Sequence, residues 1–258
     1  AGIGGVWLLV RQPETHTVRP AFEAKALLAA LRTVVTTPVT MLYALAAGCG
    51  FGTLLAYIVS SQQILQDLYG TGQQFALYFG ITAAFVAAAN TANAWLLNRY
   101  TMEAITAVAI ANKVVWSAGF LVALLLGNPV PSLLVWLIYF SVTLFLVGMT
   151  FGNYNAIALR PLGHIAGIAS SVTASIQTLV SMLVAALIGA YFAMNVTPVV
   201  IGAVVMGLIS SALMIVARRF KSEAVAIFQH HADCGKRQVI PGDGDAVLRQ
   251  LRQHPHPR

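Results

Sequence analysis

The polar side chains that could do chemistry in this chain lie inside long apolar stretches. Asn90 and Asn93 are three residues apart, and Ser170, Thr173 and Gln177 follow one another at helical spacing, so each set shares one face of a helix. Amides and hydroxyls on such a face either bond to a neighbouring helix or line a water-filled cavity that holds a solute. The residue types and their spacing leave both possibilities open.

Two further positions carry charge or a titratable ring. Lys113 stands deep in an apolar stretch, where it either lines a polar path, contacts the carbonyls of a neighbouring helix, or extends its long stem towards a membrane interface. Arg160, Pro161, Gly163 and His164 form the stretch RPLGH at 160–164, directly before a run of small residues. Proline and glycine here predict a tight turn between two apolar stretches, and its position at their ends favours a role in orientation or gating over chemistry.

Enzymatic chemistry is not expected, and neither is a cofactor or a metal site. All 8 carboxylates lie outside the apolar stretches or at their ends, so two of them cannot meet inside a bilayer as an intramembrane aspartyl protease requires. No serine of a nucleophile motif accompanies the histidine at 164, and the histidines and the cysteine of the tail follow no recognised metal-ligand spacing.

The composition indicates that lipid is the main solvent of the chain. Of its 258 residues 58% are hydrophobic and only 9% are charged, with a mean hydropathy of +0.78. A helix of about 20 apolar residues crosses a bilayer, and helices satisfy their own backbone there. The sequence therefore predicts an all-α membrane protein with a six-helix transmembrane bundle. Its spans lie near 38–60, 73–97, 104–126, 131–157, 164–193 and 197–217.

The basic residues predict the orientation of the bundle. Lys and Arg occur before the first full span, between the second and third spans, between the fourth and fifth, and after the last, and they are missing from 61–72, 127–130 and 194–196. By the positive-inside rule the linker before the bundle and the C-terminal tail are cytoplasmic. The positive-inside rule thus accounts for where the basic residues lie, and the net charge of +7 does not indicate binding to nucleic acid.

Four segments are expected along the chain. Residues 1–10 are read as the end of a truncated transmembrane helix, and residues 11–37 as a cytoplasmic linker whose stretch 21–34 forms an amphipathic helix. The bundle occupies 38–217. Residues 218–258 are expected to be a cytoplasmic, disordered tail.

Three stretches resemble one family of carriers. GNYNAIALRPLGHIAGIASS at 152–171 is similar to the end of helix 10, the turn and the start of helix 11 in Bcr/CflA-type drug-resistance transporters of the major facilitator superfamily. RQPETH at 11–16 resembles the sequence that follows helix 6, and 56–80 resembles the connection between helices 7 and 8. The resemblance covers about 11–220, the C-terminal half of a twelve-helix carrier.

The resemblance implies a proton-coupled exporter of small amphipathic compounds in the bacterial inner membrane, with two six-helix bundles that rock about a central cavity. In that fold helices 7, 8, 10 and 11 face the cavity, while helices 9 and 12, here those containing Lys113 and 197–217, are peripheral. The positions that would line the cavity are Asn90, Asn93, Tyr139, Asn153, Tyr154, Asn155 and Gln177.

The chain also departs from the family pattern. Gln62 stands where the family usually has a proline, and Arg160 stands where many relatives carry an acidic residue. Since no carboxylate lies within the spans, the proton-coupling groups are expected in an N-terminal half, and this part alone should not transport. Two alternatives stay open: an importer of a small metabolite, and a membrane remnant or accessory module that transports nothing.

Overall fold

A computed structural model of the protein describes residues 24–191 and 195–237. The expected truncated helix at 1–10, the linker up to residue 23 and the tail from 238 onwards lie outside the described residues.

Seven α-helices make up the described chain. They are α1 (Ala24–Thr36), α2 (Pro38–Gln62), α3 (Phe75–Leu96), α4 (Met102–Leu126), α5 (Leu133–Leu159), α6 (Ala166–Ala190) and α7 (Thr197–Arg237). A π-helical turn, Gln63–Leu68, extends α2, and short 3₁₀ helices at Gly72–Gln74 and Arg160–Ile165 precede α3 and α6.

Five continuous helical stretches of the described chain are long and apolar enough to cross a membrane. One of them, Leu133–Ala190, contains 58 residues and consists of α5 and α6 joined by the 3₁₀ turn, so the stretches provide six spans. This confirms the predicted all-α membrane fold with a six-helix bundle. Apart from the end of α7, each span begins and ends within three residues of its predicted bounds.

Local sequence explains where the helices begin and turn. Pro38 occupies the first turn of α2, where its missing N–H costs no hydrogen bond. The Thr101 hydroxyl caps α4 by accepting from the Ala104 amide at 3.2 Å. Gly70 and Gly72, with φ of 63° and 51°, adopt the left-handed conformation that reverses the chain between α2 and α3.

The helices form a front row with two helices behind it. The front row runs in the order α3, α5, α2 and α6, because α3 packs on α5, α5 on α2, and α2 on α6. Behind this row, α4 packs on α5 and α7 packs on α2, and these two helices also contact each other. We call the outer surface of the row, away from α4 and α7, the front face.

Close packing between α2 and α6 depends on two glycines of α2, Gly48 and Gly52. A Cβ atom added to Gly52 would lie 2.6 Å from Val184 Cβ, and one added to Gly48 would lie 2.8 Å from Val180 Cβ. No Cβ fits at either position without displacing α6. The two glycines therefore let the backbones approach as small residues do in membrane helix pairs.

The helix predicted in the linker is present as α1. Its buried residue Val34 packs with Leu162 of the 3₁₀ turn and with Ala169 of α6, while apolar side chains such as Leu28 remain exposed. This gives α1 one face against the bundle and another apolar face outside it. Its location at a membrane surface stays a prediction.

The last helix is longer than predicted. Its backbone remains helical through Arg237, so the expected disorder does not hold for residues 218–237. The reason is local: this segment is rich in Ala, Lys, Glu and Arg, which have high helix propensity, and no proline follows Pro198 until Pro241.

Candidate functional site

A pair of asparagines joins α3 to α5. Asn93 Nδ2 donates to Asn153 Oδ1 at 3.1 Å, and Asn153 Nδ2 donates to Asn93 Oδ1 at 2.9 Å. Asn153 is buried and Asn93 is half-buried, while Asn90 lies one turn away on α3 with its side chain exposed. On the predicted polar face of α3, Asn93 thus holds α5, and Asn90 is left exposed.

A second amide pair joins α5 to α6. Gln177 Nε2 donates to Asn155 Oδ1 at 2.9 Å, and Asn155 Nδ2 donates to the Phe151 carbonyl at 3.0 Å. Gln177 is buried, whereas Asn155 remains half-buried. We call the two pairs, Asn93–Asn153 and Asn155–Gln177, the amide bridges.

Aromatic and apolar surface lies beside the amide bridges. The rings of Phe51 on α2 and Phe151 on α5 pack with their centroids 4.9 Å apart. Further along α2, a pocket of about 260 Å³ opens between α2, α3 and α5. Leu54, Tyr57, Ile58, Phe79, Ala83, Val86 and Leu144 line this pocket.

The chemistry available on the front face is neutral. Amide groups donate and accept hydrogen bonds without carrying charge, and the rings and aliphatic side chains offer apolar contact. This combination suits a solute with one polar and one apolar part. Among the described residues, no three His, Cys, Asp or Glu side chains come close enough together to hold a metal ion.

Tyr139 and Tyr154 lie on the other side of α5. Each is 1% exposed: the Tyr139 hydroxyl donates to Ser117 Oγ of α4 at 3.2 Å, and the Tyr154 hydroxyl lies 2.7 Å from Ser210 Oγ of α7. Their contacts with the rear helices leave them no surface on a cavity, so the predicted lining role does not fit these two residues. The serines on α4 and α7 were the sequence signal that could have indicated these partners.

Lys113 is buried inside the bundle. Its side chain is 3% exposed, and Nζ donates to Thr53 Oγ1 of α2 at 3.3 Å. It therefore does not extend to a membrane interface, which was one of the three possibilities. It contacts the rear side of α2, away from Phe51 and the front face.

An ion pair joins the turn before α6 to the first turn of α4. We call this end of the bundle, which carries Arg99, Arg160 and Arg218, the basic end. Arg160 Nη1 lies 2.6 Å from Glu103 Oε1, with 48% of the arginine side chain and 18% of the glutamate side chain exposed. Arg218 of α7 also donates to the Glu103 backbone carbonyl. Glu103 was not identified from the sequence as the partner of Arg160. The signal was available, because Glu103 lies directly before the predicted span 104–126, at the same end of the bundle as Arg160.

The predicted turn is the 3₁₀ helix Arg160–Ile165. Pro161, Gly163 and His164 are exposed, whereas Leu162 is buried and anchors the turn against α1. The following helix begins at Ala166, two residues later than expected, because Leu162 and Ile165 have non-helical backbone angles. The structure thus brings Arg160 to Glu103 and leaves His164 outside the bundle.

At the opposite end, Tyr69 ties two connections together. Its hydroxyl donates to the Pro131 carbonyl at 3.0 Å. Burial raises the pKa of Tyr69 to about 12, because the charged phenolate would be poorly solvated there. The hydroxyl therefore keeps its proton, and the hydrogen bond is available, throughout the physiological pH range.

Comparison with known proteins agrees with this architecture. The sequence model of the Major Facilitator Superfamily matches residues 1–185. An uncharacterized MFS-type transporter, YdgK of Bacillus subtilis (strain 168), is 24% identical over 152 residues, which are 57% of this chain and 36% of that protein. The match thus spans about a third of the relative's length. The chain is a multi-pass membrane protein that belongs to the major facilitator superfamily of transmembrane transporters.

Proposed function

We propose that the chain is the C-terminal half of a Bcr/CflA-type carrier that exports drugs or other small amphipathic compounds by alternating access. Export is coupled to protons, and the carrier lies in a bacterial inner membrane with its basic end and its C-terminus in the cytoplasm. The superfamily match and the resemblance of 152–171 to the helix 10 to helix 11 region support this proposal.

The observation that carries the proposal is the uncharged front face. The amide bridges, the Phe51–Phe151 pair and the apolar pocket lie on α2, α3, α5 and α6, the four helices of the front row. In our proposal the second half of the carrier covers this face and encloses the substrate between the halves. Asn155, whose side chain is half-buried, is our first candidate for a substrate contact, followed by Asn90 and Asn93.

The remaining parts have supporting roles in the proposed cycle. Asn153 and Gln177 are buried, and they hold the half-buried amides of Asn93 and Asn155 in place. Each donates to its partner at 2.9 Å, the distance of a good hydrogen bond. The Arg160–Glu103 pair links the turn before α6 to the start of α4 at the basic end, where a gate would close. Proton coupling is assigned to the other half, because Asp67 and Glu103, the carboxylates between residues 38 and 217, lie at the ends of the spans.

Transport by variants of Asn155 tests the proposal. The complete protein that carries this chain is expressed in bacteria without their own exporters, and efflux of a fluorescent amphipathic dye is measured together with the proton flux. Asn155→Ala should slow dye efflux by about tenfold, the effect of losing one good hydrogen bond in a dry site. The matched control is Asn112→Ala, because Asn112 is an exposed amide on α4, away from the front face.

Each other outcome identifies a different function. Dye accumulation coupled to proton uptake would show an importer. No dye or proton movement in a folded, membrane-inserted protein would show a module that does not transport. Equal losses in the two variants would contradict the placement of the binding site on the front face.

A further inference from the structure

The buried amine of Lys113 has no role in the proposed transport path. It lies near the middle of α4, between α2 and α7. The Lys113 stem passes Gly207 of α7, where an added Cβ would lie 3.8 Å from Lys113 Cε, and Nζ reaches Thr53 of α2. The side chain is thus enclosed on the rear side of the bundle and separated from the amide bridges.

This amine has no carboxylate within its reach along the spans. Asp67 and Glu103 are the acidic residues between 38 and 217, and both lie at helix ends. An ammonium carries three donors, and the hydrogen bond described for it goes to a neutral hydroxyl at 3.3 Å. Burying an unpaired positive charge inside a membrane protein is costly, whereas a neutral amine matches these surroundings.

The titratable groups on the helices around Lys113 offer no fixed negative charge either. They are Cys49, Tyr43 and Tyr57 on α2, together with Tyr139 and Tyr154 on α5. Between Thr197 and Ala217, α7 carries no titratable side chain, and α4 itself carries Glu103 at its start. Thiols and phenols are neutral in their ordinary form near neutral pH.

We propose that Lys113 is a proton-binding site inside this bundle. Its amine is neutral and bonded to Thr53 while α2, α4 and α7 are packed as described, and it becomes an ammonium when these helices separate and water reaches Nζ. A proton from water then adds to the nitrogen lone pair, and it returns to water when the helices close. Proton binding at Lys113 does not rest on the proposed function, which assigns the coupling of export to protons to the other half of the carrier.

Thermal unfolding of the purified complete protein at several pH values tests proton binding without a substrate. The variants are Lys113→Met, which keeps the apolar stem, and Lys25→Met as the matched control, because Lys25 is exposed on α1. A folded state that binds fewer protons than the unfolded state loses stability as pH falls. The Tm of Lys113→Met should therefore exceed that of the wild type by an amount that grows as pH falls, and Lys25→Met should follow the wild type.

A second variant keeps the test decisive if Lys113→Met folds poorly. Lys113→Arg carries a positive charge at every accessible pH, because a guanidinium does not release its proton in proteins. Its Tm should lie below that of the wild type at high pH, where the lysine is neutral, and the difference should shrink as pH falls. A Tm equal to the wild type at every pH, or a Lys113→Met difference independent of pH, would overturn the proposal, because the ammonium would then be accommodated permanently.

Failure of the proton site and failure of the transport proposal give different results. If no dye is transported but the pH-dependent Tm difference is present, the proton site stands and the carrier function is wrong. If dye efflux is normal and the Tm difference is constant with pH, the carrier stands and Lys113 is a structural residue.

Discussion

The two sides of α5 use polar side chains in different ways. Towards the front face, Asn153 and Asn155 form the amide bridges. In each bridge one side chain is half-exposed: Asn93 in the first and Asn155 in the second. Towards α4 and α7, Tyr139 and Tyr154 bond to serines and are fully enclosed. Equal polarity therefore does not imply equal function: hydrogen bonds on the enclosed side join helices, and those on the front face leave groups available to a solute.

The largest change in stability is expected on the enclosed side. Tyr154→Ala removes a ring packed between α2 and α7 and should lower the free energy of unfolding by about 3 kcal/mol or more, since lost packing leaves a cavity. Tyr154→Phe keeps the ring and should cost about 0.6 kcal/mol, the average for one hydrogen bond between membrane helices. Unfolding of the purified protein in detergent measures both. Equal effects would mean that the hydroxyl, and not the packing, stabilises this side.

A smaller effect is expected at the amide bridge between α3 and α5. In a double-mutant cycle, Asn93→Ala and Asn153→Ala should show a coupling of about 0.6 to 1.7 kcal/mol, because the two amides exchange two hydrogen bonds. The control cycle pairs Asn153→Ala with Asn90→Ala, since Asn90 is exposed one turn away. Equal coupling in the two cycles would remove the distinction between the bridging and the open amides of α3.

The smallest effect is expected at the basic end. Arg160→Gln should lower the free energy of unfolding by less than about 1 kcal/mol, because the arginine is half-exposed and water screens its pair with Glu103. Added salt should reduce the difference between this variant and the wild type. Arg99→Gln, at another exposed arginine of the same end, is the control. A loss as large as that of Tyr154→Ala would show that the pair is shielded from solvent.

Length and hydropathy were sufficient to predict the spans, because a membrane helix needs a long apolar run and satisfies its own backbone. The spacing of polar residues also indicated Asn93 and Gln177, but it could not supply their partners on α5. Position in the family pattern suggested Tyr139 and Tyr154 as cavity residues. Both lie on a helix of the front row, yet its rotation turns them to the rear. Helix rotation depends on contacts between distant segments, which one sequence does not reveal.

The close fit of Gly48 and Gly52 against Val180 and Val184 has a mechanical consequence. Because the two helices are in close contact at two successive turns, sliding α6 along α2 would push each valine side chain into the backbone of the next turn of α2. Helices α2 and α6 should therefore move together as one rigid body. By contrast, α3 packs chiefly on α5 and buries Thr82 and Ala89 alone among its residues, so the front row is stiff at one edge and compliant at the other.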